Sequence, residues 1–448
     1  MQQPRKRPAE GGTHEMQGLA ARLLCVRTLI RAVQTKSYGN LALSHALEDA
    51  RELDARDKAL CTALFQGVTE RLITLDACAA ALTKRPAEKL DTEVLCVLRC
   101  GIYELLYLHT PESAAVNLWT EAVKKLRKTS AAGMVNACLR GFLRGGKEIP
   151  LPADANAALS VRYSVPEALI AALLADYDRE TAEQFLADAL EVPPIYLRRN
   201  PMQGDAAEFL AQTHAEPVTA VPEAYRLLRG THAETSLAGN AYFHVQDLAS
   251  QLCCLALDPQ PGETVLDVCA APGGKTFTIA ELMQDRGRVL AYDLHENRVR
   301  LIRSGAKALK LTCVSAEAGD ARKTEKPFAD RVLCDVPCSG YGVIRRKPDI
   351  RYKPLSDAEG LPEIQYAILE AAAKAVKKGG VLVYSTCTVL KRENEDIVRR
   401  FLAAHPDFEP EKPWQNIPTL AQYGQEMTTL LPEMLGSDGF FLAKLRRK

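Results

Sequence analysis

The chain of 448 residues contains no apolar run of the roughly 18–20 residues that a membrane-spanning helix requires. Its opening, MQQPRKRPAEGGTHE, has no apolar stretch behind it and does not read as a secretory signal. Histidine is scarce at 8, and no Cys-x-x-Cys spacing occurs among the 13 cysteines. A four-ligand zinc site is therefore not expected, and no metal is assigned. Without an export signal the cysteines are expected as thiols in a reducing compartment rather than as a disulfide framework. With 47% apolar and 25% charged residues the composition is that of a globular protein, which excludes fibrous and disordered classes. The expectation is a cytoplasmic protein with no membrane partner, and nothing demands more than a monomer.

The net charge of +1 is unevenly spread: residues 1–148 hold 22 of the 57 Lys/Arg, whereas residues 149–240 hold 6 against 13 Asp/Glu. A basic block followed by an acidic one is a domain-scale feature, and a basic N-terminal third suits a polyanion such as RNA. Residues 1–15 read as a flexible basic tail. Over 16–147 apolar residues recur at three- and four-residue spacing (Leu19, Leu23, Val26, Leu29, Val33), which predicts an all-helical domain with Asp91 and Ser113 as N-caps. Residues 148–234 read as a linker and small α+β region: a Pro/Ala/Asp-rich linker to about 160, two helical patterns over 166–190, and strand-like runs at 195–198 and 225–228 around a helix at 204–214. Over 235–448 strands alternate with helices, including a helix at 362–378 stopped by Gly379-Gly380 and another at 393–404. That alternation predicts a mostly parallel α/β sheet of the Rossmann-like kind.

Chemistry-bearing residues concentrate where those strands end. Val265–Thr276 (V-L-D-V-C-A-A-P-G-G-K-T) is a strand, a tight turn at Pro272-Gly273-Gly274 and a helix start whose free N–H groups suit an anionic or polar ligand. It is neither G-x-G-x-x-G nor an in-frame P-loop. About twenty residues on, the next strand ends in Asp293, placed to accept hydrogen bonds from ribose hydroxyls. Asp320 in G-D-A-R follows the third strand, where a carboxylate suits an adenine amino group. Asp335–Gly340 (D-V-P-C-S-G) and Ser385–Cys387 (S-T-C) then put Cys338 and Cys387 after two further strands, facing one crevice. Gly342–Lys353 (G-V-I-R-R-K-P-D-I-R-Y-K) follows at once, and Arg345, Arg346, Lys347 and Arg351 are expected to contact a phosphate backbone.

In this order and spacing, V-Q-D (Val245–Asp247), C-A-A-P-G-G-K, Y-D, G-D-A-R, D-V-P-C-S-G and S-T-C-T resemble the RNA cytosine-C5 methyltransferases. Residues 57–71, 98–108, 111–116 and 133–140 are similar to a NusB-type RNA-binding domain. Together with V-I-R-R-x-P-D-I and the D-G-F-F around Gly439, the chain is identified as similar to the bacterial 16S ribosomal RNA methyltransferases of the Fmu/Sun (RsmB-type) family, which target cytosine 967. Ala168 and Arg199 depart from the family's usual residues but lie outside the reaction centre. The resemblance implies S-adenosylmethionine (SAM) as cofactor, with Cys269, Ala270, Ala271, Pro272, Gly273, Gly274 and Lys275 as its loop and Asp293, Asp320 and Asp335 as further contacts. It implies Cys387 as the nucleophile at cytosine C6 and Cys338 as an aid to its release. The implied partner is 16S ribosomal RNA or a small-subunit precursor. Two rival readings are the same chemistry on transfer RNA, and a non-catalytic RNA-binding assembly factor; the thiol pair speaks against the latter, because a scaffold needs neither thiol.

Overall fold

The computed structural model describes residues 18–35, 40–228, 241–323 and 326–448, so the basic tail at 1–15 lies outside the described residues. The chain divides into two compact units, one of residues 1–175 with 347–352, the other of 176–346 with 353–448.

The first unit is helical: α1 (Leu19–Thr35), α2 (Asn40–Asp49), α3 (Ala55–Glu70), α4 (Leu72–Thr83), α5 (Thr92–Tyr107), α6 (Glu112–Lys125), α7 (Ala132–Arg144), α8 (Ala155–Tyr163) and α9 (Glu167–Asp176). Helix α5 lies at its centre, with residues such as Val97, Leu98, Cys100 and Ile102 all buried. Cys25, Cys61, Cys78, Cys96, Cys100 and Cys138 are buried here, packing as small apolar side chains. One polar group sits among them. The fully buried Glu104 accepts from the Arg22 guanidinium of α1 and from Trp119 Nε1 of α6 (2.7 Å), tying three helices through one carboxylate. Asp91 precedes α5 but makes no cap hydrogen bond and instead pairs with Lys128; Pro111, not Ser113, precedes α6.

The expected linker is partly helix. Leu159 and Val161 of α8 and Leu169, Ile170 and Leu173 of α9 are buried, and Thr74 Oγ1 donates to the Val161 carbonyl (2.6 Å). Pro, Ala and Asp mark the entry to α8, where Asp154 caps Asn156 and Ala157, rather than a disordered span. Residues 347–352 belong to this unit: Arg351 Nη1 donates to the Glu70 carbonyl (2.9 Å), and Tyr352 Oη accepts from Leu72 N (3.1 Å).

The second unit opens with α10 (Arg179–Asp188), then β1 (Tyr196–Arg199), α11 (Ala206–Thr213), β2 (Ala215–Pro217), β3 (Ala224–Leu227) and β4 (Phe243–Val245). The four strands form an antiparallel sheet in the order β2-β3-β1-β4 over Leu197, Phe209, Tyr225, Leu227 and Phe243. The family-atypical Arg199 pairs with Glu223 here (2.6 Å). There follow α12 (Leu248–Leu257), β5 (Thr264–Asp267), α13 (Gly274–Leu282), β6 (Arg288–Asp293), α14 (Glu296–Ala308), β7 (Val314–Ala318), β8 (Ala329–Asp335), α15 (Leu361–Lys374), β9 (Val376–Thr386), α16 (Glu395–Ala404), β10 (Phe408–Glu411), α17 (Pro418–Ala421), β11 (Met427–Leu430), α18 (Pro432–Leu435) and β12 (Phe440–Arg447).

The large sheet runs β10-β12-β9-β8-β5-β6-β7, with β11 also on β12; the β5 to β9 pairings are parallel and those of β12 antiparallel. The chain passes β5, β6, β7 outward on one side and returns to β8 on the other, so the crevice between β5 and β8 is the switch point where ligands bind in such sheets. The expected helix to residue 378 ends at Lys374, and β9 runs through Gly379-Gly380. A β-bulge opposite Ala329–Arg331 brings the Asp330 carbonyl within 2.8 Å of where a Gly380 Cβ would stand, so Gly380 marks a close backbone approach and Gly379 a left-handed φ of +75° rather than a helix stop. Among the described residues no single helix is long and apolar enough to cross a membrane.

Candidate active site

The carboxyl ends of β5, β6, β8 and β9 bring the motif residues of the second unit together. β8 and β9 pair in parallel with Asp335 opposite Ser385, so the turns that follow carry Cys338 and Cys387 side by side. Their sulfurs are 3.3 Å apart. Beside them, Asp335 accepts from Ser385 Oγ (2.8 Å) through one oxygen and from Lys275 Nζ (2.8 Å) through the other. Lys275 comes from the first turn of α13, so this ion pair spans the switch point.

Across the crevice, Gly273 holds a left-handed φ of +115° and ends the 269–273 turn. A Cβ there would stand 2.4 Å from the Phe277 ring, which makes glycine a steric requirement. Asp293 ends β6 and accepts from the Ala271 N–H (3.2 Å), while Arg298 donates to the Ala271 carbonyl (2.8 Å), so the loop is fixed from both peptide faces. Asp320 follows β7 and is gripped by Arg322, whose guanidinium holds the carboxyl down at about 2.

The electrostatics separate the roles. The Cys387 neighbour first, and burial second, push the Cys338 thiol well above its ordinary range. The two sulfurs lie within hydrogen-bond reach, and either can be the donor. Burial first, and the nearby Asp267, Asp335 and Asp293 carboxylates after it, push the Cys269 thiol far up, an inert thiol in the loop. Burial opposes the charge on Lys275, but the Asp335 carboxylate more than restores it and holds the ammonium above the usual lysine range. Asp267, fully buried at the end of β5, is pushed up to about 7 by burial against the hydrogen bond it accepts from Thr276 Oγ1 (2.7 Å).

The basic run does not form a cationic surface. Arg345 is buried and pairs with Asp438 (2.8 Å), and Arg346 pairs with both Asp438 and Asp247 (2.9 Å). Arg351 is buried in the helical unit. Burial thus corrects the expectation that Arg345 and Arg351 contact RNA, while Arg346, still partly exposed, joins V-Q-D, R-R and D-G-F-F in one ion-pair network. Lys347 remains exposed. Sequence reasoning also passed over Glu393 and Gln365, both fully buried beside the Cys338 turn. Glu393 sits in K-R-E-N-E-D and reads like the acidic start of a helix, but the helix begins at Glu395.

Residues 254–446 match the family model "16S rRNA methyltransferase RsmB/F", and residues 19–144 match the NusB family. The chain is 38% identical over 450 residues to "Probable ribosomal RNA small subunit methyltransferase B" of Bacillus subtilis, covering 97% of this chain and 100% of the relative. The chain belongs to the RsmB/F family of ribosomal RNA methyltransferases. A Synechocystis relative with the same description is 36% identical over 96% of this chain and all of its own length, and a Yersinia pseudotuberculosis methyltransferase B is 33% identical over 92% and 98%. The crystal structure of PH0851 shares the fold at TM-score 0.76, covering 95% of this chain and 99% of its own at 24% identity. NSun6 from Pyrococcus horikoshii with SFG does so at TM-score 0.57, over 63% and 98% at 22% identity.

RsmB/F proteins are SAM-dependent methyltransferases acting on small-subunit ribosomal RNA, and the crevice suits that cofactor. The loop lacks side-chain bulk where backbone must approach a ligand, the α13 N-terminus is uncapped by any side chain, and the buried Asp267 Oδ1 has no protein partner among the described residues.

Proposed function

We propose that this chain methylates C5 of a cytosine in 16S ribosomal RNA through a covalent adduct between Cys387 and cytosine C6. The observation that carries the reading is the thiol pair at the switch point, Cys338 and Cys387 at 3.3 Å, beside the Lys275–Asp335 ion pair. Cytosine C5 is a poor nucleophile. A thiolate adding at C6 makes it enamine-like, and sulfur serves because it is nucleophilic even when partly ionised. Residues 269–275 with Asp293, Asp320 and Asp335 would hold SAM, which would supply an electrophilic methyl group for C5 and leave as S-adenosylhomocysteine. Cys338, its thiol proton passed to solvent, stands 3.3 Å from the Cys387 sulfur and serves as the base. It then accepts the C5 proton; the C5–H electron pair becomes the C5=C6 double bond and the C6–S bond breaks, returning Cys387. Asp335 orients the base edge or the cofactor. The target must be turned out of any helix it occupies, at a cost of a few kcal/mol. Exposed Lys347 supplies a phosphate contact, and the NusB-type unit supplies further RNA binding.

The test is methyl transfer from labelled SAM to unmodified small-subunit ribosomal RNA by wild type, Cys387→Ala and Cys338→Ala. Labelled cytosine with wild type, none with Cys387→Ala and a trapped RNA adduct with Cys338→Ala support the reading. Labelling of transfer RNA instead preserves the chemistry and overturns the substrate. Binding of SAM and RNA with no transfer to either favours the assembly-factor reading.

A further inference from the structure

Cys338 lies in an irregular turn, yet the release step requires its sulfur at a fixed distance from Cys387. Two buried side chains outside every motif quoted above grip that turn. Gln365, on α15 and fully buried, donates through Nε2 to the Pro337 carbonyl (3.0 Å) and to Glu393 Oε2 (2.9 Å). Glu393, also fully buried, accepts through the same oxygen from the Ser339 N–H (2.9 Å). The two residues therefore hold the carbonyl before Cys338 and the N–H after it, joined to each other between. Glu393 is itself anchored, because its backbone carbonyl accepts from Tyr384 Oη of β9 (2.6 Å). One further link closes the arrangement: Ser339 Oγ lies 2.8 Å from Thr388 Oγ1, beside Cys387.

Burying a carboxylate is costly unless something specific requires it. Here it accepts two neutral N–H donors and meets no cation in any hydrogen bond or ion pair among the described residues. A fold seeking stability alone would be better served by an apolar pair of similar volume. What the carboxylate does that an apolar group cannot is fix a peptide N–H in direction. Its negative charge also acts on the Cys338 thiol, adding to the causes that keep it protonated in the resting site.

We infer that Glu393 and Gln365 are positioning residues for the release step, clamping the peptide groups on both sides of Cys338 so that its sulfur faces the Cys387 adduct. The inference rests on the cysteine roles proposed above. It predicts a specific failure. Loosening the clamp slows release more than attack, so the RNA adduct should accumulate, as it should when Cys338 itself is removed.

The experiment uses the full chain, labelled SAM and unmodified small-subunit ribosomal RNA. Denaturing gels read the covalent adduct and single-turnover assays read methyl transfer, with SAM affinity and thermal midpoint measured in parallel. Glu393→Ala and Gln365→Ala are each expected to lower turnover at least tenfold and to raise trapped adduct severalfold, with SAM affinity within about threefold of wild type. Glu393→Gln, which retains an acceptor for Ser339, is expected to recover most turnover. If Glu393→Ala does not fold, Gln365→Ala decides, since it frees the Pro337 carbonyl without removing the buried charge. Wild-type turnover with no extra adduct, while Cys338→Ala still traps RNA, overturns the clamp and leaves the cysteine roles standing. Lost turnover with no adduct means the two residues serve the fold or the attack instead, which also overturns it. Absence of adduct in every variant, Cys338→Ala included, shows that the cysteine roles themselves are wrong.

Discussion

Gly342→Ala tests how closely the thiol site depends on backbone packing. Gly342 N–H donates to the Cys387 carbonyl (3.0 Å), and Gly342 accepts through its own carbonyl from Gly439 N–H (2.9 Å). A Cβ on Gly342 would stand 2.0 Å from the Gly439 carbonyl oxygen and 2.8 Å from the Cys387 carbonyl oxygen. Ordinary contact begins at 3.4 Å, and both obstacles are backbone, so the strands carrying them must part by about 1 Å or more. Both hydrogen bonds then stretch, at about 1 kcal/mol each, and the Cys387 turn moves with its carbonyl. A displacement of that size at reacting atoms costs about 100-fold in rate.

Single-turnover methyl transfer at saturating SAM and RNA reads the effect, with urea unfolding and SAM binding alongside. Gly342→Ala should lose about 2–3 kcal/mol of stability and about 100-fold in rate while SAM affinity stays within about threefold, because residues 269–275 are not displaced. Gly439→Ala should be milder, since its nearest obstacles are a methyl of Val389 at 2.7 Å and the Gly342 Cα at 2.9 Å, against backbone oxygen at 2.0 Å for Gly342→Ala. Gly360→Ala, whose Cβ meets nothing within 4 Å, is the control. A Gly342→Ala enzyme as fast as Gly360→Ala would refute the argument that these turns are held by backbone contact.

Two further substitutions probe buried charge. Glu104→Ala leaves Arg22 buried without its carboxylate and Trp119 Nε1 without its acceptor; it should cost about 3–5 kcal/mol, seen as a lowered thermal midpoint of the full chain, and an unchanged midpoint would show that the triad contributes nothing. Asp267 is raised by burial from 3.8 to about 7, so the folded state binds its proton more tightly than the unfolded chain does. Its contribution is therefore fully present below about pH 4, declines as pH rises toward 7 and is lost above it. Asp267→Asn should gain about 2–3 kcal/mol on wild type between pH 5 and pH 8 in urea unfolding. Parallel curves at the two pH values would count against the buried, unpaired carboxyl.

The α/β half was legible because its signals are local. Each apolar strand is followed by a turn residue of distinctive chemistry, and the periodicity of the helical half is strong wherever one face is buried. The strands β10 and β11 escaped notice: they pair only with β12, at 408–411 and 427–430, and their short runs lack an alternating pattern. Residues 375–380 were misread because a Gly-Gly pair serves a left-handed turn and a close approach, at Gly379 and Gly380, as readily as a helix stop. The arginines of 345–351 were misread for a different reason. A run of cations reports charge but not solvation, and only the fold shows that Asp438 and Asp247, roughly a hundred residues away on either side, meet Arg345 and Arg346. Glu393 carried no local signal at all, since its partners Ser339 and Gln365 are distant in sequence.

These internal pairings explain why residues far from the reacting atoms accompany the thiols. The crevice has two sides with separate tasks, a cofactor loop from β5 and β6 and a thiol pair from β8 and β9, and one apolar core runs beneath both, joining Val265, Phe277 and Val289 to Leu333, Val381 and Val383. Lys275 adds a side-chain tie at the crevice to the β5–β8 ladder, leaving the helix after the cofactor loop to meet Asp335 at the start of the Cys338 turn. A cation at the first turn of a helix is opposed by the helix dipole, and burial opposes it again. Both penalties are tolerated because the Asp335 carboxylate lies 2.8 Å away with its other oxygen fixed by Ser385 of β9. The pair, with Ser385, thus registers α13, β8 and β9 to one another at the point where methyl donor and nucleophile must meet. Asp247, Arg346, Asp438, Gly439 and Gly342 perform the same task from behind, linking the start of α12, the basic run and the start of β12 to the Cys387 carbonyl. The recurring charges and glycines of the motifs are, on this argument, the means by which two irregular turns are held to the accuracy that thiol chemistry demands.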